Sequence, residues 1–349
     1  MKTMRNLFLL CAGLSLFACS SDDDATQQFP EGNGMVEVKV INPMSARANG
    51  DKINIEGTIT ITLTHANGTL TQTVEVGEGT AVRSQTVKFW NVVNPSKVTA
   101  TINDGVADYS ATEISTQTLQ VEPKSIPAYG ETTAFTKEGT LQPEGTENAN
   151  SGYKTGDAEK EFTRYVADIN MAIPVARLEV GAIGHTSDEG NCTFSELTLT
   201  GVYLDDIYVN GGTYSNGAFT TPSAENENLK NYNGYTNAIL KNEGNGASAF
   251  NFYGGGKPIF KVYFESAKFA EGAEAGEERE GWAMITKYKM TGGEEITSFE
   301  NGKIYQVADV TLLDNYIVGD EENSALYAVE VTVTEAVWEV VTTDVEWAE

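Results

Sequence analysis

Cys19 is the residue with the clearest chemistry in this sequence, because its surroundings are typical of a thiol that becomes acylated. Lys2 and Arg5 precede a short apolar run that ends at Ala18. A basic start, a short apolar run and a small residue before the cut make a secretory signal peptide, too short to span a bilayer permanently. A cysteine at the cut is typical of bacterial lipoproteins. We therefore predict removal of residues 1–18 and a lipid on Cys19; the alternative is an ordinary signal peptide with an incidental cysteine.

The residues directly after Cys19 are acidic. Three aspartates occupy positions 22–24, within a polar stretch of residues 20–33 that predicts a flexible tether. Their position resembles the acidic tag that directs some Gram-negative lipoproteins to the outer face of the outer membrane. The alternative is a charged tether with no sorting role.

Other side chains that could do chemistry are few and scattered. His65 and His185 are the two histidines and lack zinc-ligand spacing. Residues 253–258 resemble a phosphate loop only in their glycines, since Pro258 replaces the hydroxyl residue that would bind magnesium. Adjacent carboxylates such as Asp205 and its neighbour are expected by chance in so acidic a chain. We therefore predict no catalytic residues, no metal site, no cofactor and no enzyme activity.

Charge and cysteine usage narrow the classes further. The chain has 50 acidic and 23 basic residues and a net charge of −27. Such a surface repels nucleic-acid phosphates, so a nucleic-acid partner is excluded. Apart from Cys11 in the apolar run and the acylated Cys19, the remaining cysteine is Cys192. An internal disulfide is then impossible, and we predict that Cys192 is a small buried side chain.

Alternation of apolar and polar residues with a period of two dominates the chain from residue 35 onward. Residues 59–63 and 70–76 alternate on either side of an Asn67-Gly68 turn, which predicts a hairpin. Further strands are predicted at 35–41, 86–90, 97–102, 197–202, 259–265, 303–312, 327–334 and 338–345. The best candidate for a short helix is residues 158–167. The sequence therefore predicts an all-β fold built from sandwiches.

The predicted strands cover about 300 residues, which exceeds one ordinary sandwich, so we expect two domains. Residues 137–160 are polar and nearly free of large apolar side chains, which predicts a loop. We place the boundary near residue 165. The predicted domains are residues 48–164 and 165–349.

The mature chain has a strongly alternating strand near each end, and one of these strands could replace the other. Residues 35–41 form a strongly alternating strand, followed by a small, polar stretch around Arg47 that a trypsin-like protease could cut. Loss of a buried edge strand would expose an apolar groove, which a strand from another copy could fill. Residues 327–334 are again strongly alternating and could supply that strand. The alternative is that both segments are ordinary strands of one closed sandwich.

Five features together resemble the fimbrillin (FimA-type, type V pilin) family of major pilus subunits. They are the signal that ends at Cys19, the strand at 35–41, the Arg47-Ala48 step, the segment 173–180 with its Ala-Arg-Leu, and the closing strand at 331–338. Val337 is a departure, since the family more often has a proline or small residue before the tryptophan. The resemblance covers essentially the whole chain, although its motifs are short.

The resemblance implies a route from lipoprotein to fibre. Cys19 would be acylated and anchored in the outer membrane, and an arginine-specific protease would then cut between Arg47 and Ala48, removing residues 19–47 as a propeptide. The trimmed subunit, made of two transthyretin-like β-domains, would polymerise by strand exchange with other copies and related pilus subunits. The released strand would carry Val36, Val38 and Val40. The donated strand would carry Val329, Val331 and Val333.

Two other functions stay open at this point. A pilus tip or anchor adhesin would share the fold and the signal, but a tip subunit should lack a donor strand. A carbohydrate-binding surface lipoprotein could use the tyrosine and tryptophan side chains to stack on sugar rings. Arg177, within the Ala-Arg-Leu segment, is interpreted as a structural residue at the domain junction.

Overall fold

The computed structural model describes residues 33–41, 44–46, 52–77, 84–112, 126–143, 148–186, 194–222, 229–230, 248–269, 276–313, 317 and 328–339. Within these ranges the regular structure is β-strand, apart from two 3-10 turns at Ala149–Ser151 and Thr155–Asp157. The all-β prediction is therefore confirmed. Among the described residues, no helix has the length and apolar character needed to cross a membrane.

The strands are β1 Gly34–Ile41, β2 Met44–Ala46, β3 Lys52–Asn54, β4 Gly57–His65, β5 Gly68–Val76, β6 Ser84–Val92, β7 Lys97–Ile102, β8 Ala128–Thr132, β9 Thr136–Leu141, β10 Phe162–Asn170, β11 Ala176–Val180, β12 Ile183–Thr186, β13 Phe194–Asp205, β14 Ile207–Tyr208, β15 Tyr214–Ser215, β16 Ala218–Phe219, β17 Leu229–Lys230, β18 Ser248–Phe252, β19 Ile259–Phe269, β20 Glu278–Met290, β21 Lys303–Val307, β22 Val310–Leu313 and β23 Ala328–Glu339.

Two four-stranded sheets form a sandwich in the N-terminal half. One has the order β6-β1-β10-β9 and the other β5-β4-β7-β8. Strand β4 shows why the sheets pack: Ile59, Ile61 and Leu63 are fully buried, while the threonines between them are at least partly exposed. These side chains join those of β1, β7 and β10 in one buried cluster. Period-two patterning thus places one apolar face of each sheet in the shared core.

Strand β1 lies in the interior of its sheet, between β6 and β10. It pairs antiparallel with β6 and parallel with β10. The expectation that residues 35–41 form an edge strand is therefore wrong. The alternation shows that a strand has an apolar face but carries no information about how many neighbours the strand has, because pairing is set by distant parts of the chain.

The C-terminal half is built on a larger mixed sheet. Its main path runs β13-β19-β20-β23-β21-β11-β18, with β2 paired to β23 and to β3. A second buried cluster belongs to this half and includes Leu178, Val262, Ile285 and Val333. Strand β23 is one continuous strand where the sequence predicts two, and the predicted strand at 303–312 is divided into β21 and β22. Residues 340–345 of the second predicted strand lie outside the described residues.

Strand β10 corrects two expectations about the middle of the chain. The candidate helix at 158–167 is wrong, because β10 begins at Phe162 and pairs with β1 from Thr163 to Asn170. Tyr165, Ala167 and Ile169 are buried in the sandwich core, so the apolar period here is two. The predicted loop at 137–160 also contains most of β9, whose residues are nearly all exposed.

The same strand bears on the domain boundary. A division at 164/165 falls inside β10, which belongs to the first sandwich, and β11 belongs to the second sheet. The sheets change between Asn170 and Ala176. The two-domain division stays a proposal, and we now place its boundary within residues 171–175.

Aromatic side chains pack the β15–β16 hairpin against the first sandwich. Tyr214 of the hairpin makes an edge contact with Tyr129 of β8, with ring centroids 5.2 Å apart. Phe219 makes a similar contact with Tyr109, at 5.5 Å. A Cβ on Gly211 would lie 2.6 Å from the Cβ of Tyr109, so this close approach requires glycine. The two halves of the chain are therefore joined by a specific aromatic contact.

Candidate functional site

The candidate site is the space between β6 and β10 that β1 fills, which we call the β1 groove. Its walls are fixed by two ladders: Val38 lies opposite Val87 of β6 and opposite Ala167 of β10. Its floor is the apolar core shared with the second sheet. Removal of β1 would leave both walls with unpaired backbone groups and would open the floor to water.

The apolar face of β1 is completely covered. Val36, Val38 and Val40 are all 0% exposed. Burial of a valine side chain contributes roughly 1.5–3 kcal/mol, so the three side chains bind β1 strongly to the groove. The side chains that the sequence predicts for the released strand are therefore placed together, on the floor of one groove.

The opposite face of β1 carries an unexpected buried charge. Glu37 is 3% exposed. Arg164 of β10 donates two hydrogen bonds to it, from Nε to Oε2 at 3.2 Å and from Nη2 to Oε1 at 3.1 Å. The remaining guanidinium nitrogen, Nη1, contacts Oε2 of Glu138 in β9 at 3.0 Å. A two-pronged, charge-assisted pair of this kind fixes the position of the strand as well as holding it.

The start of β1 packs on a small aromatic cluster. Met35 is fully buried against Trp90 and Phe162, whose rings meet edge to face at 5.2 Å. Gly34 approaches β6 closely, since a Cβ there would lie 2.6 Å from the carbonyl oxygen of Val92. A residue with a side chain would therefore not fit at the position of Gly34 unless β6 shifted.

An open cleft of about 800 Å³ lies over this outer face of the sheet. Glu37, Lys88, Glu138 and Arg164 are among the charged residues that line it. Trp90 also lines it, but this residue is 6% exposed and its ring packs on its aromatic neighbours. The cleft thus offers little open aromatic face on which a sugar ring could stack.

The short strand β2 connects the site to the other end of the chain. Met44 pairs with Glu339 and Ser45 with Trp338, at the end of β23. Strand β2 also pairs with β3. The segment between β1 and Arg47 therefore contacts the last described strand of the protein.

The strand predicted to be donated is β23, and it too lies in the interior of a sheet. It pairs parallel with β20 and antiparallel with β21. In these ladders Val329 lies opposite Ile285, Val331 opposite Tyr288, and Val333 opposite both Met290 and Val307. Val333 is 0% exposed. In this chain the candidate donor strand is thus held within its own sheet.

The other residues singled out in the sequence are spread over the molecule. Cys19, Arg47, Ala48 and Cys192 lie outside the described residues. No group of three or more His, Cys, Asp or Glu side chains that could hold a metal ion occurs in the part that the structure describes. Residues 254–256, within the segment 253–258 that resembles a phosphate loop only in its glycines, form a bend.

Arg177 is a buried residue of β11. It is 1% exposed, its Nε contacts Glu179 at 2.7 Å, and its Nη1 donates to the side-chain oxygen of Asn251 at 3.2 Å. Gln306 donates to the other oxygen of Glu179 at 2.8 Å. Glu179 carries the opposite charge, and these hydrogen bonds hold the guanidinium within one sheet, which supports the interpretation of Arg177 as a structural residue.

Glu37 and Arg164 are the site residues that the sequence reasoning missed. Period two puts Glu37 on the polar face of β1, and a polar face ordinarily faces solvent. Glu37 is nevertheless buried, and its carboxylate is held by Arg164 of the neighbouring strand β10. Nothing local in residues 35–41 signals this distant partner.

Comparisons with known proteins give likeness in structure only. No family model matches the chain, and no curated protein matches it. Among solved structures, the chain is similar to a fimbrilin from Porphyromonas gingivalis, at 12% identity and a TM-score of 0.48, over 90% of this chain and 99% of that one. It is also similar to a tip fimbrial protein of that organism with a C-terminal truncation, at 10% identity and a TM-score of 0.38. This match covers 87% of this chain and 100% of that one.

A fimbrial protein from Bacteroides vulgatus is a further similar structure, at 12% identity and a TM-score of 0.32, over 88% of this chain and 100% of that one. All three structures have TM-scores below 0.5, so the function is argued below from the residues of this chain.

Proposed function

We propose that this protein is a structural subunit of a surface fimbria that is activated by proteolysis. It is exported as a lipoprotein acylated on Cys19, cut between Arg47 and Ala48, and polymerised when one copy donates its C-terminal strand to the next. Its partners are other copies of itself and related pilus subunits, an arginine-specific protease and, before the cut, the outer membrane.

One observation carries this proposal: the strand that the cut would release is an interior strand buried on both faces. Val38 and Glu37 are both nearly inaccessible to solvent. A strand that ends at Ile41 lies only a few residues before Arg47, so one cut would detach it from the body. Because the remaining groove has two unpaired walls and an apolar floor, it would bind a replacement strand strongly.

The contact between β2 and β23 supports a link between the cut and the exchange. Strand β2 precedes Arg47, so it would leave together with β1. Its departure would remove the partner of Trp338 and Glu339 at the end of β23. The cut would therefore create the acceptor groove and loosen the donor strand in one step.

The energetics of exchange favour polymerisation only after the cut. Strand β23 has two ladder partners in its own sheet and would gain two, β6 and β10, in the next copy. The exchange conserves the number of ladder partners of β23 but opens a gap between β20 and β21 in the donor copy. Polymerisation therefore requires that covering the acceptor groove releases more free energy than opening this gap costs. The contact joins different surfaces of the two copies and does not close on itself, so it generates a fibre.

The first experiment is the intact mass and N-terminal residue of the protein recovered from sheared surface material. Ala48 as the first residue, with no lipid, is the expected result. A chain that begins at acylated Cys19 would contradict the proposal and would favour the alternative, a permanently anchored adhesin or carbohydrate-binding surface lipoprotein.

A further inference from the structure

The two strands that the proposed function exchanges share a sequence. Residues 36–40 read Val-Glu-Val-Lys-Val and residues 329–333 read Val-Glu-Val-Thr-Val. Four of the five residues are identical, although the segments lie at opposite ends of the chain. The single difference, Lys39 against Thr332, falls at a position of β1 that is partly exposed.

The two strands also have neighbours of the same polarity. Strand β1 has one parallel partner, β10, and one antiparallel partner, β6. Strand β23 likewise has one parallel partner, β20, and one antiparallel partner, β21. A strand that follows the direction of β1 in the groove would therefore keep the pairing geometry that β23 already has.

Apolar side chains alone would not fix the pairing register of the incoming strand in the groove. A slip of one residue would turn its valines away from the floor, which is strongly unfavourable. A slip of two residues keeps an alternating face toward the floor, so it changes the apolar contacts much less. A second interaction is needed to distinguish registers that differ by two.

Arg164 provides that interaction. In the uncut chain its guanidinium is held by Glu37 at 3.1 and 3.2 Å, on the side of the groove away from the floor. The cut removes this carboxylate from beside the guanidinium, whose side chain is 18% exposed and also contacts Glu138. A partly buried cation of this kind favours a carboxylate over a neutral group at the vacated position.

We propose that Glu330 of one copy replaces Glu37 beside Arg164 of the next copy, and that this ion pair sets the register of the donated strand. This inference rests on the proposed function. In the proposed register Val329, Val331 and Val333 take the places of Val36, Val38 and Val40. A slip of two would instead put Ala328 or Thr332 beside the guanidinium, and neither residue has a charge.

The match also defines where the inserted segment begins. The residue before Ala328 is Tyr327, which in this register corresponds to Gly34. A Cβ at Gly34 would lie 2.6 Å from the carbonyl oxygen of Val92, so a tyrosine does not fit there without a shift of β6. Ala328, at the place of Met35, is therefore the first residue that the groove accepts.

Disulfide formation between copies measures this register directly. In the uncut chain Lys39 lies opposite Thr86 of β6, so the proposal places Thr332 there. Thr86 and Thr332 are both exposed, and cysteines at these positions should leave the fold intact. The experiment uses full-length Thr332→Cys chains in a Cys192→Ser background, with Thr86→Cys for the proposed register and with Ser84→Cys or Lys88→Cys for slips of two residues.

Fibres from cells that express each variant are oxidised and analysed for covalent ladders. We expect the Thr86→Cys ladder to exceed the other two about tenfold, because a hydrogen-bonded charge pair discriminates by that order. Adding Glu330→Gln should remove most of this preference. Glu335→Gln is the matched control on the same strand and should leave the preference unchanged.

The outcomes separate the inference from the proposed function. Processed fibres that form ladders mainly through Ser84→Cys or Lys88→Cys, or that form none of the three ladders, would overturn the register. So would a preference that Glu330→Gln leaves unchanged. Surface material made of unprocessed chains that begin at Cys19 would overturn the proposed function, and the register with it.

Discussion

Glu37 and Arg164 are 127 residues apart in the chain and form a two-pronged ion pair across the β1–β10 ladder. This pair holds the predicted propeptide strand to the body from the face opposite the apolar core. Strand β1 is therefore bound on both faces: its valines pack in the apolar core, and the guanidinium of Arg164 holds Glu37 on the opposite face. Such binding keeps the uncut chain closed and makes the groove unstable once the strand is gone.

Glu37→Gln should destabilise the uncut protein by about 1–3 kcal/mol, because it removes the charge from a buried, hydrogen-bonded pair. Arg164 would keep its contact with Glu138, which limits the loss. The measurement is the free energy of unfolding in urea. Lys39→Gln, on the same strand at a more exposed position, is the control and should change the stability little. Equal effects of the two substitutions would contradict a specific role for the pair.

Val38→Ala should affect the uncut protein and spare the fibre. Its side chain is fully buried, so truncation should lower the stability of the uncut protein by about 2 kcal/mol. After the cut, β1 is absent, and fibres built from the variant should dissociate at the same denaturant concentration as those of the unsubstituted protein. If the substitution weakens the fibre, β1 is still present in it and the released strand lies elsewhere.

Much of this β-structure could be predicted because its signals are local. The Asn67-Gly68 turn and the alternation around it give the β4–β5 hairpin, and the strand at 97–102 is found with the predicted bounds. Strand order is different, since it depends on which distant segments pair. The interior position of β1, the identity of β10 as a strand and the burial of Glu37 all follow from one long-range pairing that the period of a single segment does not encode.

The interior position of β23 changes which experiments are informative. From the sequence alone, a truncation at residue 324 should give folded subunits that do not polymerise. In the structure such a truncation removes the strand between β20 and β21, so it would disrupt the C-terminal sheet itself. Point substitutions in the strand, such as Glu330→Gln, are therefore the sharper tests of donation.

Tyr214→Ala should loosen the contact between the β15–β16 hairpin and the first sandwich. Its ring packs on Tyr129 and Phe219, and its hydroxyl donates to the carbonyl oxygen of Asn170 at 3.0 Å. Tyr214→Phe is the matched control: it keeps the rings in contact and should cost about 1 kcal/mol for the lost hydrogen bond. The alanine variant should cost at least twice that, measured by urea unfolding. Equal stabilities would show that the aromatic contact contributes nothing.

His65 should make stability fall in mild acid. Burial lowers the pKa of His65 below its ordinary value of 6.5. The unfolded chain therefore takes up a proton at this residue at a higher pH than the folded chain does. Stability from this residue is fully present above about pH 6.5 and is lost as the pH falls from there toward the lower folded-state pKa.

The test compares the unsubstituted protein with His65→Gln between pH 7 and pH 5. His185 is present in both proteins, so the difference between the two stability curves belongs to His65. The unsubstituted protein should lose more stability than the variant over this range. Parallel curves would contradict the lowered pKa.

Arg47→Ala should stop assembly without harming the fold. Since the substitution leaves β1 in its groove, the valines at 36, 38 and 40 stay buried and the acceptor site never opens. Strand β2 stays paired with the end of β23 as well. We therefore expect folded, lipid-anchored monomer that begins at Cys19, with fibres on the cell surface reduced at least about tenfold as judged by electron microscopy and by the mass of the surface protein.

Arg83→Ala is the control for this last substitution, because Arg83 is the next arginine along the chain and cutting there would also release β1. It would in addition release the β4–β5 hairpin, whose Ile61 and Leu63 belong to the core, so a cut at that site would destroy the acceptor sandwich. Fibres should accordingly form normally in Arg83→Ala cells and begin at Ala48. Normal fibres from Arg47→Ala cells would mean that β1 leaves by another route, and the acceptor groove would then have to open without cleavage at Arg47.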